Sequence, residues 1–474
     1  MDTIIFQCFS IIVFVASIIY IIMQFSYESK LTEIILNIKR TPRRKRLGEE
    51  ELDEEIKDEV LTSSNVISDS RAKINILKDI KESYSSIMKS IDDSLSQNTK
   101  LFLKIAFIVL ATRLLIYAFG YYGGILASGG PISYEATWVR WDAQHYLKLA
   151  KEWYMGGTNT EIFIVFYPLY PFLVKMLSVL TGTVFVSSMI LSNLFLIIGC
   201  YYMYKLFAFE YDGGIAVNGL KYLLFFPVSF FLCAPFTESL FIMLSVMMFY
   251  YLRKEKWFLS AVIGMFAGLT RFHGILLLIP FIIEYFVQCN VFKNMHERKF
   301  KVVLNDFMKK GIFAVIIPMG FGLYLVLNKI VTGEWFKFLY WQKEHWHQSF
   351  KIFYDGSIIS LMSYATSSTD NFDKASLWIP QIIILIVAFI AIIYAMKMKM
   401  RASYFAYMTI YIFSTISLTY LLSAPRYIMA AFPIYIVAAK MTTKNKKIDI
   451  VLTFASLLFL MYCLFAYVSG KRIM

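Results

Sequence analysis

Long apolar runs, separated by short polar stretches, make up most of the chain. The first is Ile4 to Met23. Later ones cover roughly 102–122, 184–207, 215–234, 237–252, 257–271, 273–287, 311–331, 376–396, 402–422, 426–441 and 448–468. Most approach the length of about 20 apolar residues that a helix needs to cross a bilayer. The runs do not alternate with the period of two expected of strands, and hydrocarbon obliges each segment to pair its backbone internally. The pattern therefore predicts an all-α polytopic membrane protein with about 11 or 12 transmembrane helices. The pairs of runs meeting at Pro235 and at Arg271–His273 read either as separate spans or as single broken helices. The apolar stretch ending near Leu180 follows Pro168 and Pro171, which break its start. It reads as a helix lying in the interface, because a span there would reverse every later loop.

Residues 25–100 interrupt this pattern. A basic run at 39–46 is followed by acidic residues from Glu49 to Glu59 and then by a serine-rich stretch. Leu77, Ile80, Tyr84, Ile87, Ile91 and Leu95 recur at helical spacing and predict an amphipathic helix. The expected organisation is an N-terminal membrane anchor over 1–24, a charged cytoplasmic linker over 25–100 and a membrane domain over 101–474. The anchor reads as uncleaved, since its basic residues follow the apolar run and no A-x-A site is present.

Composition agrees: 58% of the 474 residues are hydrophobic and 17% are charged, whereas soluble domains sit near half apolar and a quarter charged. The net charge of +14 does not indicate nucleic acid, because the basic residues are scattered between apolar runs. They cluster at 39–46, 253–256, 293–310, 397–401 and 444–447. With all of these in the cytoplasm, the N-terminus, 123–183, 235–239, 332–375 and 423–426 lie outside. The five cysteines form no CxxC or Cys/His cluster, so neither a disulfide framework nor a zinc site is indicated. His345 and His347 stand two apart, which does not bring them together on a helix. There is no Walker A loop, dinucleotide fingerprint or HExxH.

Polar groups that interrupt apolar runs are the natural places for chemistry, because ionisable groups at membrane depth are costly. The segment from Trp138 to Tyr146 crowds Arg140, Trp141, Asp142 and His145 together. Asp142 fits a general base that accepts a hydroxyl proton, or a helix cap. Trp138 and Trp141 suit an aromatic interface belt or a sugar-stacking surface. Tyr167 lies in the aromatic-proline run 166–171. Glu238, Arg271 and His273, and Arg426 with Tyr427 punctuate three further edges. Each arginine suits bidentate phosphate binding, a structural pair with glutamate, or snorkelling to the interface. The loop 333–347, with Trp346, suits a cover over a sugar or lipid headgroup, or an aromatic interface helix.

These segments together carry a resemblance. RWDAQHYLKLA at 140–150, FYPLYP at 166–171, CAPFTES at 233–239, GLTRFHG at 268–274, GEWFKFLYWQKEHW at 333–346 and SAPRYIMAAFP at 423–433 resemble, in that order, the second GPI mannosyltransferase family and its prokaryotic relatives, polytopic GT-C glycosyltransferases. The resemblance spans roughly 100–440. It implies a GT-C-like fold with a large first external loop carrying interfacial helices. It also implies transfer of mannose from a polyprenyl- or dolichyl-phosphate donor to a glycan or glycolipid acceptor, with Asp142 as the catalytic residue. Substrate-binding positions are then expected among Arg140, Trp141, His145, Tyr167, Glu238, Arg271, Trp346, Arg426 and Tyr427. His273 stands where relatives carry a small polar residue, so it is not carried over. No cofactor is implied. The membrane would be the plasma membrane in a prokaryote and the endoplasmic reticulum in a eukaryote. The contrasting reading is a multi-pass transporter or lipid flippase, for which no internal repeat appears.

Overall fold

A computed structural model describes residues 2–40, 96–155, 160–351, 356–368 and 370–473. The expected amphipathic helix at 77–95 lies outside the described residues. The chain divides into two units, 1–33 with 106–474, and 34–105. Within the second unit, the described residues are the end of α1 (Asp2–Arg40) and the first turns of α2 (Gln97–Ser128). There Ser96 Oγ accepts from the amide of Thr99 at 3.2 Å, the local bond of a helix start.

The larger unit is helical throughout its described residues, apart from one isolated bridge between Phe350 and Leu418. Among the described residues, six helices are long and apolar enough to cross a membrane: Phe9–Ser29, Gln97–Ser128, Val184–Glu210, Gly311–Thr332, Asn371–Lys397 and Lys446–Val468. The chain is an integral membrane protein of the all-α polytopic kind.

The other expected runs fold as shorter helices, some of them broken. The run at 215–234 folds as α7 (Gly213–Leu224) followed by an irregular segment. The runs at 237–252 and 257–271 fold as α8 (Glu238–Arg253) and α9 (Trp257–Gly268). The next becomes a 3-10 turn, Phe272–Leu277, leading into α10 (Leu278–Gln288). Those at 402–422 and 426–441 yield α17 (Ala402–Ile416), α18 (Ala424–Met429) and α19 (Pro433–Thr443). The reason is local. Pro227, Pro235, Pro425 and Pro433 lack an amide proton and cannot continue a helix, and the polar groups beside them need partners across the bundle. The remaining helices are α3 (Tyr134–Trp138), α4 (Asp142–Glu152), α5 (Leu169–Thr181), α6 (Val184–Glu210), α11 (Val291–His296), α12 (Phe300–Lys309), α13 (Ile316–Thr332), α14 (Lys337–Glu344), α15 (Gly356–Ser367), α16 (Ile379–Lys397) and α20 (Lys446–Val468). At 13 residues, α5 rises roughly 20 Å, short of a hydrocarbon core of about 30 Å.

Broken backbone inside a membrane protein has to be paired by other groups. Here α2 supplies much of that. Fully buried Arg113 donates to the carbonyls of Leu224 at 2.6 Å and Ser229 at 2.9 Å. Tyr117 Oη donates to the carbonyl of Cys233 at 2.8 Å, and Ser192 Oγ of α6 to that of Ala234 at 2.9 Å. The irregular stretch 225–237 is thereby fixed from both sides. Aromatic rings fill the centre of the bundle: Phe249 packs on Tyr404, Tyr407 and Phe432, and Phe432 also meets Phe207.

Helices α9 and α13 cross where glycines remove the side chains between them, a packing habit of membrane helices. A Cβ on Gly320 would lie 2.0 Å from the carbonyl oxygen of Met265, and one on Gly264 would lie 3.0 Å from Ile317. The N-terminal helix packs into the bundle as well. Phe9 meets Phe389, Phe14 meets Phe413 and Tyr20 meets Phe405. Tyr20 Oη donates to the carbonyl of Met400 at 2.6 Å, and Glu28 accepts the amide of Ala402 at 2.8 Å.

Candidate functional site

Asp142 opens α4, immediately after Trp141, which sits at the N-cap with a left-handed φ of 52°. A carboxylate in a first helical turn is favoured by the helix dipole. The turn is held from below: Tyr467 Oη of α20 donates to the carbonyl of Trp138 at 2.7 Å. Trp138 itself is fully buried against Tyr117 and Tyr467. It is a core residue, belonging to neither the interface belt nor a sugar surface. Trp141 keeps 38% of its surface exposed.

Asp142 faces Arg426, whose Nη1 lies 2.9 Å from its Oδ2. Arg426 stands on α18, whose first amide, that of Ala424, donates to Gln381 of α16 at 3.1 Å. The Arg426 Nε lies 3.3 Å from Glu238 Oε1. The guanidinium is flanked by the rings of Phe231, Phe236 and Tyr427 at 5.5–5.6 Å, within cation–π range. Glu238, fully buried, also pairs with Arg271. Arg271 is presented by the extended residue between α9 and the following 3-10 turn, with φ of −156°. Its Nε donates to Thr237 Oγ1 at 3.1 Å, and its guanidinium lies 5.7 Å from the Tyr427 ring. Four segments far apart in sequence thus assemble a balanced cluster of two carboxylates and two guanidiniums. Asp142 is its accessible member, with 27% of its side chain exposed against 10% or less for the others.

This neutrality answers the electrostatic problem of charges at low dielectric. Some capacity is unspent: Glu238 Oε2 and Arg271 Nη1 are buried with no hydrogen-bond partner among the described residues. Beside Asp142, one turn along α4, His145 packs against Phe163, Phe166 and Trp346, with centroids 5.2–6.5 Å apart. Burial among these rings pushes its imidazole below the ordinary range, with nearby Asp142 acting in the opposite sense. Burial thus favours its neutral form.

Asp142, Glu238, Arg271, Arg426 and Tyr427 meet in one place, with His145 and Trp346 forming an adjoining aromatic wall. Two other expected positions lie apart from the cluster. Arg140 turns away and donates to the carbonyl of Val468 at 3.2 Å. It ties α4's entry to the end of α20, because the tight turn at Trp141 sends neighbouring side chains in different directions. Tyr167 stacks on Tyr324 at 4.0 Å, buried. Its place is set by the backbone pairing of Leu169 with Leu269. Of the alternatives open for Arg271, the Arg–Glu pair is the one formed.

Several contributors were not singled out from the sequence. Thr237 positions Arg271, Phe231 and Phe236 flank Arg426, and Tyr411 of α17 stacks on His273 at 4.3 Å. Their only signal was proximity to a polar interruption. Gly274 matters equally: a Cβ there would lie 2.3 Å from the carbonyl carbon of Ala267 and 2.4 Å from the amide of Gly268. The chain bearing Arg271 folds back that tightly. Gly274→Ala should lower stability by about 2–3 kcal/mol, the upper range of overpacking, and loosen the Arg271–Glu238 contact. Gly322→Ala, where nothing lies within 4 Å, should be neutral or slightly stabilising. Thermal unfolding of the two purified variants in detergent checks the contrast.

Among the described residues, no group of three or more His, Cys, Asp or Glu side chains is placed to hold a metal ion. No protein-family model matches the chain, and no curated protein matches it.

Proposed function

We propose that this chain is a GT-C-type glycosyltransferase. It would transfer mannose from a polyprenyl- or dolichyl-phosphate donor to a hydroxyl of a glycan or glycolipid acceptor at the external face of its membrane. The observation that carries the reading is the accessible carboxylate of Asp142, 2.9 Å from a buried arginine. The four segments that build this cluster are among those that carry the resemblance.

In the proposed reaction the acceptor oxygen bonds to the anomeric carbon of the sugar as its proton passes to Asp142. The bond from that carbon to the phosphate oxygen breaks, and the lipid phosphate leaves with the electron pair. The anomeric centre is inverted. In the resting state Arg426 occupies the Asp142 carboxylate at 2.9 Å. A lipid phosphate is itself a strong partner for arginine. By drawing Arg426 toward itself it frees Asp142, so donor arrival and base activation become one event. Arg426 suits this better than Arg271 because it alone of the two contacts Asp142. Tyr427, with a ring face toward both guanidiniums, keeps them in place. The aromatic wall of His145 and Trp346 suits the apolar face of a sugar.

The test is a transfer assay with purified protein in liposomes, radiolabelled polyprenyl-phosphate mannose and a lipid extract from the source cells. Label is expected in a new product. Folded protein that moves no label from any of several lipid-phosphate sugars would sink the proposal. If that protein instead moved labelled lipid across the bilayer, the transporter reading would replace it.

A further inference from the structure

Between α10 and α13 the basic loop at 293–310 is folded, and its folded form exposes what the sequence hides. Six Lys or Arg stand against two acidic residues between 293 and 310. Two of those basic residues, Lys293 and Lys299, ion-pair with Glu297. Arg298, Lys301, Lys309 and Lys310 stand around α12 and, among the described residues, form no ion pair. Helix α12 buries none of its residues. Phe300, Leu304 and Met308 recur four apart along it, with 60%, 62% and 55% of their surfaces exposed. Phe307 closes the same stripe and touches Tyr285 of α10 at 6.3 Å. Lys301, Asn305 and Lys309 occupy the opposite arc.

Water is a poor medium for such a stripe, and in a soluble domain it would mark a binding face. Its position decides the partner. The loop leaves α10 at Gln288 and enters the membrane-crossing helix Gly311–Thr332. It therefore lies at one end of that span, at the level of the lipid headgroups. We propose that α12 is an interfacial anchor. Its Phe300–Leu304–Met308 stripe would sink into the acyl boundary, with Arg298, Lys301, Lys309 and Lys310 binding anionic lipid headgroups. Apolar burial on one face joined to cationic attraction on the other is how amphipathic helices hold a bilayer surface. Each basic residue near an anionic surface contributes roughly a fivefold gain in partitioning. The partner is an anionic leaflet, chosen by charge complementarity over nucleic acid or a protein, because the apolar stripe faces away from the bundle beside a membrane-crossing helix.

The full chain would be spin-labelled at Leu304→Cys or Asn305→Cys and placed in nanodiscs. One set would be pure phosphatidylcholine and the other a mixture of phosphatidylcholine with anionic phosphatidylglycerol. Signal from the unsubstituted protein is subtracted. The label at 304 should be reached by oxygen and shielded from a water-soluble nickel chelate, and the label at 305 should show the reverse. The 304 label should lie deeper in the anionic discs. The triple substitution Lys301→Gln, Lys309→Gln and Lys310→Gln should abolish that lipid-dependent shift while the protein keeps its unfolding temperature. Equal nickel access at 304 and 305 in anionic discs would overturn the anchor. A depth at 304 indifferent to lipid charge would overturn headgroup recognition. Shielding that arises only when soluble protein or RNA is added would overturn the lipid as partner. None of these outcomes depends on sugar transfer.

Discussion

Asp142→Asn is expected to reduce sugar transfer by about a hundredfold to ten-thousandfold, the usual contribution of a positioned proton acceptor. The amide keeps an oxygen that Arg426 can hold at 2.9 Å, so the local geometry survives. It cannot take the proton. The substitution leaves Glu238 facing two guanidiniums, but Asp142 is the most exposed member of the cluster, so solvent softens the imbalance. The signature should be a fall in kcat with the donor KM little changed. Arg426→Gln should do the opposite first, raising the donor KM through loss of the phosphate partner. Wild-type rates in Asp142→Asn would remove Asp142 from the mechanism. A parallel loss of folding in that variant would make it a structural residue, and circular dichroism with gel filtration distinguishes the two.

Glu284→Ala should be among the most destabilising single substitutions in the bundle, at about 3–5 kcal/mol. Glu284 is fully buried on α10. Its Oε1 accepts from Arg401 Nε at 2.6 Å and from Ser403 Oγ. Its Oε2 accepts from Arg401 Nη2 at 2.8 Å and Gln288 Nε2 at 2.6 Å, and lies 3.3 Å from Arg253 Nη1. Arg253 in turn pairs with Glu210 at the end of α6, and Arg401 lies 3.9 Å from Glu28 of α1. One carboxylate therefore joins two arginines and, through them, four helices. Its removal leaves two guanidiniums in a low-dielectric interior with too few partners, which is the costly case for buried ions. Thermal unfolding in detergent measures it, with Glu334→Ala as the comparison, since that carboxylate is largely exposed and its pairing with Lys337 is a surface contact. A shift no larger than that of Glu334→Ala would contradict the account.

Membrane residence and helical class were legible because both depend on runs of residue type. The members of the charge cluster were legible for a related reason: Glu238, Arg271 and Arg426 are polar breaks at the edges of apolar runs, which need a cause, and Asp142 stands in a segment crowded with polar and aromatic residues. What the sequence could not convey was how those breaks are repaired. Arg113 stands in the middle of the run at 102–122, where a cation was a visible anomaly. Its use, pairing the carbonyls of Leu224 and Ser229, depends on which helix lies beside it. The same holds for Arg140, whose partner is a carbonyl 328 residues away. Six of the expected runs contain single helices long and apolar enough to cross a membrane; where other runs break was hidden, because hydropathy records what lipid tolerates and is blind to how the broken backbone is paired. The Glu284 network was hidden because Glu210, Arg253 and Arg401 sit at helix ends, where charges ordinarily meet water.

The contacts of Glu28 set a timetable for biogenesis. Ala402, whose amide Glu28 accepts, is made 374 residues after it. At about 5–20 residues per second, the wait is roughly 20–75 seconds. Through that interval an acidic residue at the edge of an apolar helix has not met Arg401, and tens of residues of unpaired apolar surface stand beside it. The contacts that seat Glu28 form only after the stretch around Arg401 has been made. Docking of the Glu28 helix through these contacts is therefore a late step of synthesis relative to the helix itself.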